Sequence, residues 1–222
     1  MFSRLKKLSL IPERQLTLVE RHFVMQEERP AAIGEVEIEL LDPFLRTLLF
    51  TDGTVTRALG AQLLAPVAVE RLQQAPIALD AEVAELLEIL PEAESIRRRV
   101  GIGIGAPAIP LLWAESFMLP ERLPPGFLGL LDGAPDGIGQ SLQRVSLESS
   151  RELCWFGLEA LPEWVPASGE RVALRRLYRI VSAGEPAILI SEYFEVEQHA
   201  GVYHLAGVLA HAERQTRPEE RR

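Results

Sequence analysis

The run RVALRRLYRIVSAGEPAILISEYFEV, residues 171–196, constrains the fold more than any other stretch of the chain. Two segments rich in β-branched and aromatic residues flank the turn SAGEP, so the chain must double back as a hairpin of long antiparallel strands. Such a pair is not stable alone in water and requires further strands or a helical layer over its apolar face. Alternate residues of a strand share a face, which points Glu192 the same way as Ile188, Ile190 and Phe194. An ionised carboxylate in that position is strongly unfavourable unless a cation or a polar pocket meets it.

A second hairpin is predicted in SIRRRVGIGIGAPAIPLLWAESFMLP, with strands over 95–104 and 111–119 and a turn over 106–110. Its alternation puts Arg98 on the face of Val100, Ile102 and Ile104, and Arg97 and Arg99 on the face of the glycines. Two hairpins of one sheet can bring Arg98 and Glu192 to one cavity, where a guanidinium fork binds a carboxylate bidentately. That carboxylate is either Glu192 itself, in a structural ion pair, or one on a substrate. Arg176 and Arg179 in RVALRRLYR are further candidates, against the plainer reading of a solvated face. Gly101, Gly103 and Gly105 lack the third glycine of a dinucleotide loop and no helix follows, so they read as a strand face approached closely by other groups.

The remaining segments fill out this picture. GEVEIELL, residues 34–41, alternates apolar and acidic residues and predicts a half-exposed strand. Asp42 caps a helix with Pro43 in its first turn, and a second helix starts at Thr54 or Thr56 after the TDG turn. LLAPVAVERLQQAPIAL reads as a strand, and DAEVAELLEILPEAE as a helix ended by Pro91. A long Pro- and Gly-rich connection with one helical turn follows, and QSLQRVSLESSRELCWFG mixes helix and strand signals. The predicted class is α+β: a single antiparallel β-sheet with peripheral helices gathered on one side. Residues 42–211 form the domain, 1–41 an N-terminal extension packed on it and capping the sheet edge, and 212–222 a charged, disordered tail.

A chain of 222 residues with 47% hydrophobic and 25% charged residues has a substantial core to build. Its net charge of −9 argues against a nucleic-acid or anionic-membrane surface. No apolar run is long enough to span a bilayer, and the N-terminal one is broken by Pro12, Glu13 and Arg14, so a cytoplasmic location is expected. The single cysteine, Cys154, has no disulfide partner and reads as a packed residue. His22, His199, His204 and His211 have no zinc-site spacing, and no metal is expected.

Four segments together resemble the chorismate lyase (4-hydroxybenzoate synthase) family, in particular its divergent bacterial branch. They are LLFTDGTVTRAL, then IRRRVGI followed by LLWAESFMLPERLP, then GIGQSL, then RRLYRIVSAGEPAILISEYF, in that order over residues 42–196. The resemblance implies a single antiparallel sheet with peripheral helices and the elimination of pyruvate from chorismate to give 4-hydroxybenzoate. It also implies roles: Arg98 for the substrate carboxylate, with Arg97 or Arg99 if the register slips by one, and Glu192 as the catalytic acid or base. Val55 and Ile138 then meet the ligand through their backbones, and Arg176 and Arg179 occupy basic positions of the last hairpin. Ser116 stands where some members carry an arginine. No metal or organic cofactor is implied; the partner is the small-molecule substrate, and the oligomeric state is left open. Three other readings share the fold: a small-acid-binding module like the effector domains of certain transcription regulators, a lyase on a related chorismate-derived substrate, and a diverged, inactive member. About forty residues precede the similar region, too few for a winged-helix reader, which places the binding-module reading second.

Overall fold

The computed structural model describes residues 13–104, 109–133, 137–166 and 171–195. The expected tail at 212–222, residues 196–211 and three of the four histidines lie outside the described residues. The chain runs through α1 (Glu13–His22), α2 (Pro43–Phe50), α3 (Val55–Leu63), β1 (Val67–Ile77), α4 (Ala81–Leu86), β2 (Ser95–Ile104) and β3 (Ile109–Met118). Then come α5 (Phe127–Gly133), α6 (Ile138–Arg144), β4 (Ser150–Ala160), β5 (Val172–Ser182) and β6 (Glu185–Glu195). The strands form one antiparallel sheet in the order β1-β2-β3-β6-β5-β4. The class is therefore α+β with a single antiparallel sheet, as the hairpins require.

Both predicted hairpins are present, β2–β3 and β5–β6, and they meet where β3 pairs with β6. The second turns through Ala183 and Gly184, both at positive φ (52° and 84°), which matches the right-handed twist of the flanking strands. A register shift between Ile180 and Val181 then sets Arg176 opposite Glu192 and Tyr178 opposite Ile190. One face of the sheet carries the main core, with Leu45, Leu48 and Leu49 of α2, Val55 and Leu59 of α3, Phe127 of α5 and Leu142 of α6 packed on it. Asp42 caps α2 by accepting from Phe44 N at 2.8 Å.

Four expectations are corrected. GEVEIELL is not a strand: its one β-bridge among the described residues is Gly34–Leu158, and it then forms a 3₁₀ turn at Ile38–Leu40, with Ile38 and Leu41 buried in the core. The helix predicted up to Pro91 stops at Leu86, because Arg179 and Arg122 bind the Leu86 and Leu87 carbonyls and Glu88 turns at φ 53°. That helix, α4, packs with Trp155, Leu177 and Leu189 on the other face of the sheet, so the helices are not all on one side. The connection after β3 holds two short helices, α5 and α6, rather than one turn.

Residues 23–34 run along the β4 edge. Val24 N and Met25 N donate to the Leu153 and Cys154 carbonyls, and the Gln26 amide exchanges hydrogen bonds with Phe156. Gly157 allows this strap to close: a Cβ there would come within 2.5 Å of Ile33 and 2.6 Å of the Gly34 carbonyl oxygen. Among the described residues no helix is long and apolar enough to cross a membrane.

Candidate functional site

A cavity of about 60 Å³ lies between the sheet and the starts of α3 and α6. The sheet side is built in rows across the strands. One row is Arg98, Ser116, Ile190 and Tyr178, and the next is Val100, Ala114, Glu192 and Arg176. The helix side is Thr54, Val55 and Thr56 at the start of α3 and Gly137, Ile138 and Gly139 at the start of α6. Four of the predicted site residues, Arg98, Glu192, Val55 and Ile138, thus line one cavity, although 137 positions separate Val55 from Glu192 in the sequence.

Glu192 is only 4% exposed, and Arg176, fully buried at 0%, is its partner. Arg176 Nε donates to Glu192 Oε2 at 3.0 Å, and Nη2 donates to the same oxygen. Its Nη1 donates to the carbonyls of Leu48, Leu49 (3.3 Å) and Thr51 (3.0 Å), closing the C-terminal end of α2, where unpaired carbonyls carry partial negative charge. The other carboxylate oxygen, Oε1, accepts from the Tyr178 hydroxyl at 3.1 Å. Burial, followed by the Glu192 charge, raises the Tyr178 phenol well above its ordinary range, so Tyr178 stays a donor. Oε2 is occupied by the guanidinium, and Oε1 keeps a lone pair that Tyr178 does not use.

Arg98, 3% exposed, donates through Nη1 to Gln74 Oε1 on the neighbouring strand β1. The period-two assignment is correct, for Arg99 sits on the opposite face, bonded to Glu115 Oε1 at 2.7 Å and stacked 5.1 Å above Trp164. Of the alternatives left open for Glu192, the structural ion pair is made with Arg176 and not with Arg98. Two candidates therefore stand apart from the cavity wall. Arg176 lies behind Glu192 and is not among the lining residues, and Arg179 points to the other face, held by Glu88, Glu152 and the Leu86 carbonyl. Gly101 of β2 makes room for an indole ring: a Cβ there would stand 3.0 Å from Trp113.

Tyr178 and Arg151 are among the lining residues that sequence reasoning missed. Period two alone puts Tyr178 with Arg176 on one face of β5. Arg151 opens β4 in a stretch whose helix and strand signals are mixed, and its face was not legible. Gly139 lets α6 begin against it, since a Cβ there would come within 2.9 Å of Thr54 Oγ1 and 3.0 Å of Arg151 Nη2.

The profile of a family described as "Chorismate pyruvate-lyase Rv2949c-like" matches residues 49–200. A protein of Mycobacterium leprae named chorismate pyruvate-lyase is 28% identical over 166 residues, covering 73% of this chain and 79% of that protein. One of the same name from Mycobacterium tuberculosis is 26% identical over 176 residues, covering 73% and 84%. Among solved structures, the effector domain of PhnF from Mycobacterium smegmatis aligns with 66% of this chain and 90% of that one, at 12% identity and a TM-score of 0.47.

Proposed function

The chain belongs to the Rv2949c-like chorismate pyruvate-lyase family, and from that premise we propose that it binds chorismate in the cavity and eliminates pyruvate, leaving 4-hydroxybenzoate. The observation that carries this reading is Glu192. Its carboxylate is fixed from behind by Arg176 and from the side by Tyr178, in the wall of a cavity that Arg98 also lines. A carboxylate held in one orientation beside a substrate site is suited to general acid–base work.

Arg98 holds the ring carboxylate of chorismate, and backbone N–H groups at Val55 and Ile138 steady the ligand from the helix side. Glu192 Oε1 takes the proton from the ring carbon that bears the hydroxyl. The electron pair of that C–H bond becomes the ring double bond, and the bond from the adjacent ring carbon to the enolpyruvyl oxygen breaks. The departing enolate gains a proton and tautomerises to pyruvate, and the ring becomes aromatic. Arg176 and Tyr178 are positioning residues that keep Glu192 aimed at the proton. Gain of aromaticity drives the step, so the protein's part is orientation and one proton transfer.

The cavity volume of about 60 Å³ is well below the ~150 Å³ of a cavity that holds benzene. A ring-sized ligand therefore needs more room than the cavity has in this structure. The test is incubation of the purified protein with chorismate, with pyruvate followed by a coupled assay and the aromatic product identified by chromatography. Equal amounts of pyruvate and 4-hydroxybenzoate are expected. Saturable chorismate binding with no pyruvate would make the protein a small-acid-binding module.

A further inference from the structure

We propose that Arg151, with the start of α3, forms a second anion subsite that takes the other carboxylate of a diacid whose first carboxylate sits at Arg98. The subsite rests on the lyase reading for the identity of that diacid, chorismate, but its geometry stands on its own.

Arg151 lies on β4 opposite Ile180 of β5, and Arg98 lies on β2. The strand order places three strands, β3, β6 and β5, between them, so four strand spacings, roughly 19 Å of backbone, separate the two. Yet both side chains line the same cavity. Two long cationic side chains converging from opposite flanks on one small space suit a ligand with an anionic group at each end, because a single carboxylate cannot satisfy both.

Four other arginines of the sheet are matched with acids: Arg99 with Glu115, Arg175 with Glu159, Arg176 with Glu192, and Arg179 with Glu88 and Glu152. Arg151 differs. Its Nη1 donates to a carbonyl, that of Asp52, at 2.9 Å, and its Nε, like those of Arg97 and Arg179, is shut off from solvent without a hydrogen-bond partner. A second polar atom on the same side of the cavity is in the same state, Thr56 Oγ1. Thr54, at the N-cap of α3, makes no side-chain cap hydrogen bond, so the first N–H groups of that nine-residue helix are uncapped beside Arg151 and Thr56. A cation that meets no acid, on a residue lining a cavity, suits a bound anion that completes its hydrogen bonding. A guanidinium, a hydroxyl and uncapped amides together select a carboxylate.

The test works in a Glu192→Gln background, where turnover is slowed, and compares wild type at position 151 with Arg151→Met and Arg151→Lys by calorimetric titration with chorismate, which has two carboxylates, and 4-hydroxybenzoate, which has one. Loss of a charge-assisted hydrogen bond predicts chorismate binding about 10- to 100-fold weaker in Arg151→Met, with 4-hydroxybenzoate binding unchanged and part of the loss recovered by lysine. A merely structural role, through the bond to Asp52, would weaken both ligands alike and lower the melting temperature. Equal weakening of the two, no weakening of chorismate, or a protein with Arg151 intact that binds chorismate no better than 4-hydroxybenzoate would overturn the proposal. Because binding is read without turnover, absence of pyruvate release would refute the lyase reading alone.

Discussion

Arg176→Met is the perturbation whose consequence follows most directly from the structure. It leaves Glu192, 4% exposed, with the Tyr178 hydroxyl but no cation, and removes the donor to the Leu48, Leu49 and Thr51 carbonyls. Removing one partner of a buried ion pair costs about 3–5 kcal/mol. That is a large part of the ~5–15 kcal/mol by which a domain is stable. At about 2–4 °C per kcal/mol for a chain of this size, the melting temperature should fall by roughly 6–20 °C. Glu192→Leu alone strands the guanidinium and should cost a similar amount. The double variant strands neither charge, and its remaining loss, the unpaired carbonyls at the end of α2, is about 1–3 kcal/mol. The cycle therefore has a coupling energy of at least about 3 kcal/mol. Urea unfolding of the four proteins, followed by far-UV circular dichroism, measures it. A loss below about 1 kcal/mol in Arg176→Met, or a double variant as unstable as the sum of the singles, would refute the reasoning.

Two further consequences concern groups buried away from the proposed chemistry. Burial pushes the Tyr193 phenol up to about 12 and raises Tyr178 further, while in the unfolded chain both ionise near pH ~10. Above that pH the folded state binds more protons than the unfolded one, so stability should hold below pH ~10 and fall as pH rises beyond it. A urea midpoint constant well above that pH would contradict this. Burial likewise pushes the Cys154 thiol up to about 12, and the residue is fully buried. A thiol reagent at pH ~8 should label native protein only as fast as the chain unfolds, and rapid labelling without unfolding would contradict the packing.

The hairpins were legible because alternation and turn residues are local signals, and the faces of Arg98 and Glu192 followed from period two alone. The partner of Glu192 was not. Counting back from the Ala183–Gly184 turn without irregularity sets Arg176 opposite Ser191, on the wrong face for a pair. The shift between Ile180 and Val181, beside Pro186 with its missing N–H, moves the register by one and delivers Glu192 instead. Tertiary structure overrode local pattern in GEVEIELL, whose glutamates alternate as in a strand although its one β-bridge among the described residues is to the β4 edge. Arg179 read as one of a cluster with Arg176, yet three positions apart on a strand is the opposite face, where α4 and Glu152 receive it.

The central claim is that the buried carboxylate of Glu192 moves a proton of bound chorismate, and Glu192→Gln tests it most directly because amide and carboxylate have nearly the same shape. The measurement pairs chorismate affinity, by titration of the variant and from the concentration dependence of the wild-type rate, with the rate of pyruvate release at saturation, on protein whose near-UV circular dichroism matches wild type. Proton transfer by Glu192 predicts affinity close to wild type and kcat lower by about 10²- to 10⁴-fold. A variant that binds chorismate and releases pyruvate at the wild-type rate would contradict the account, leaving Glu192 as the structural counter-ion of Arg176.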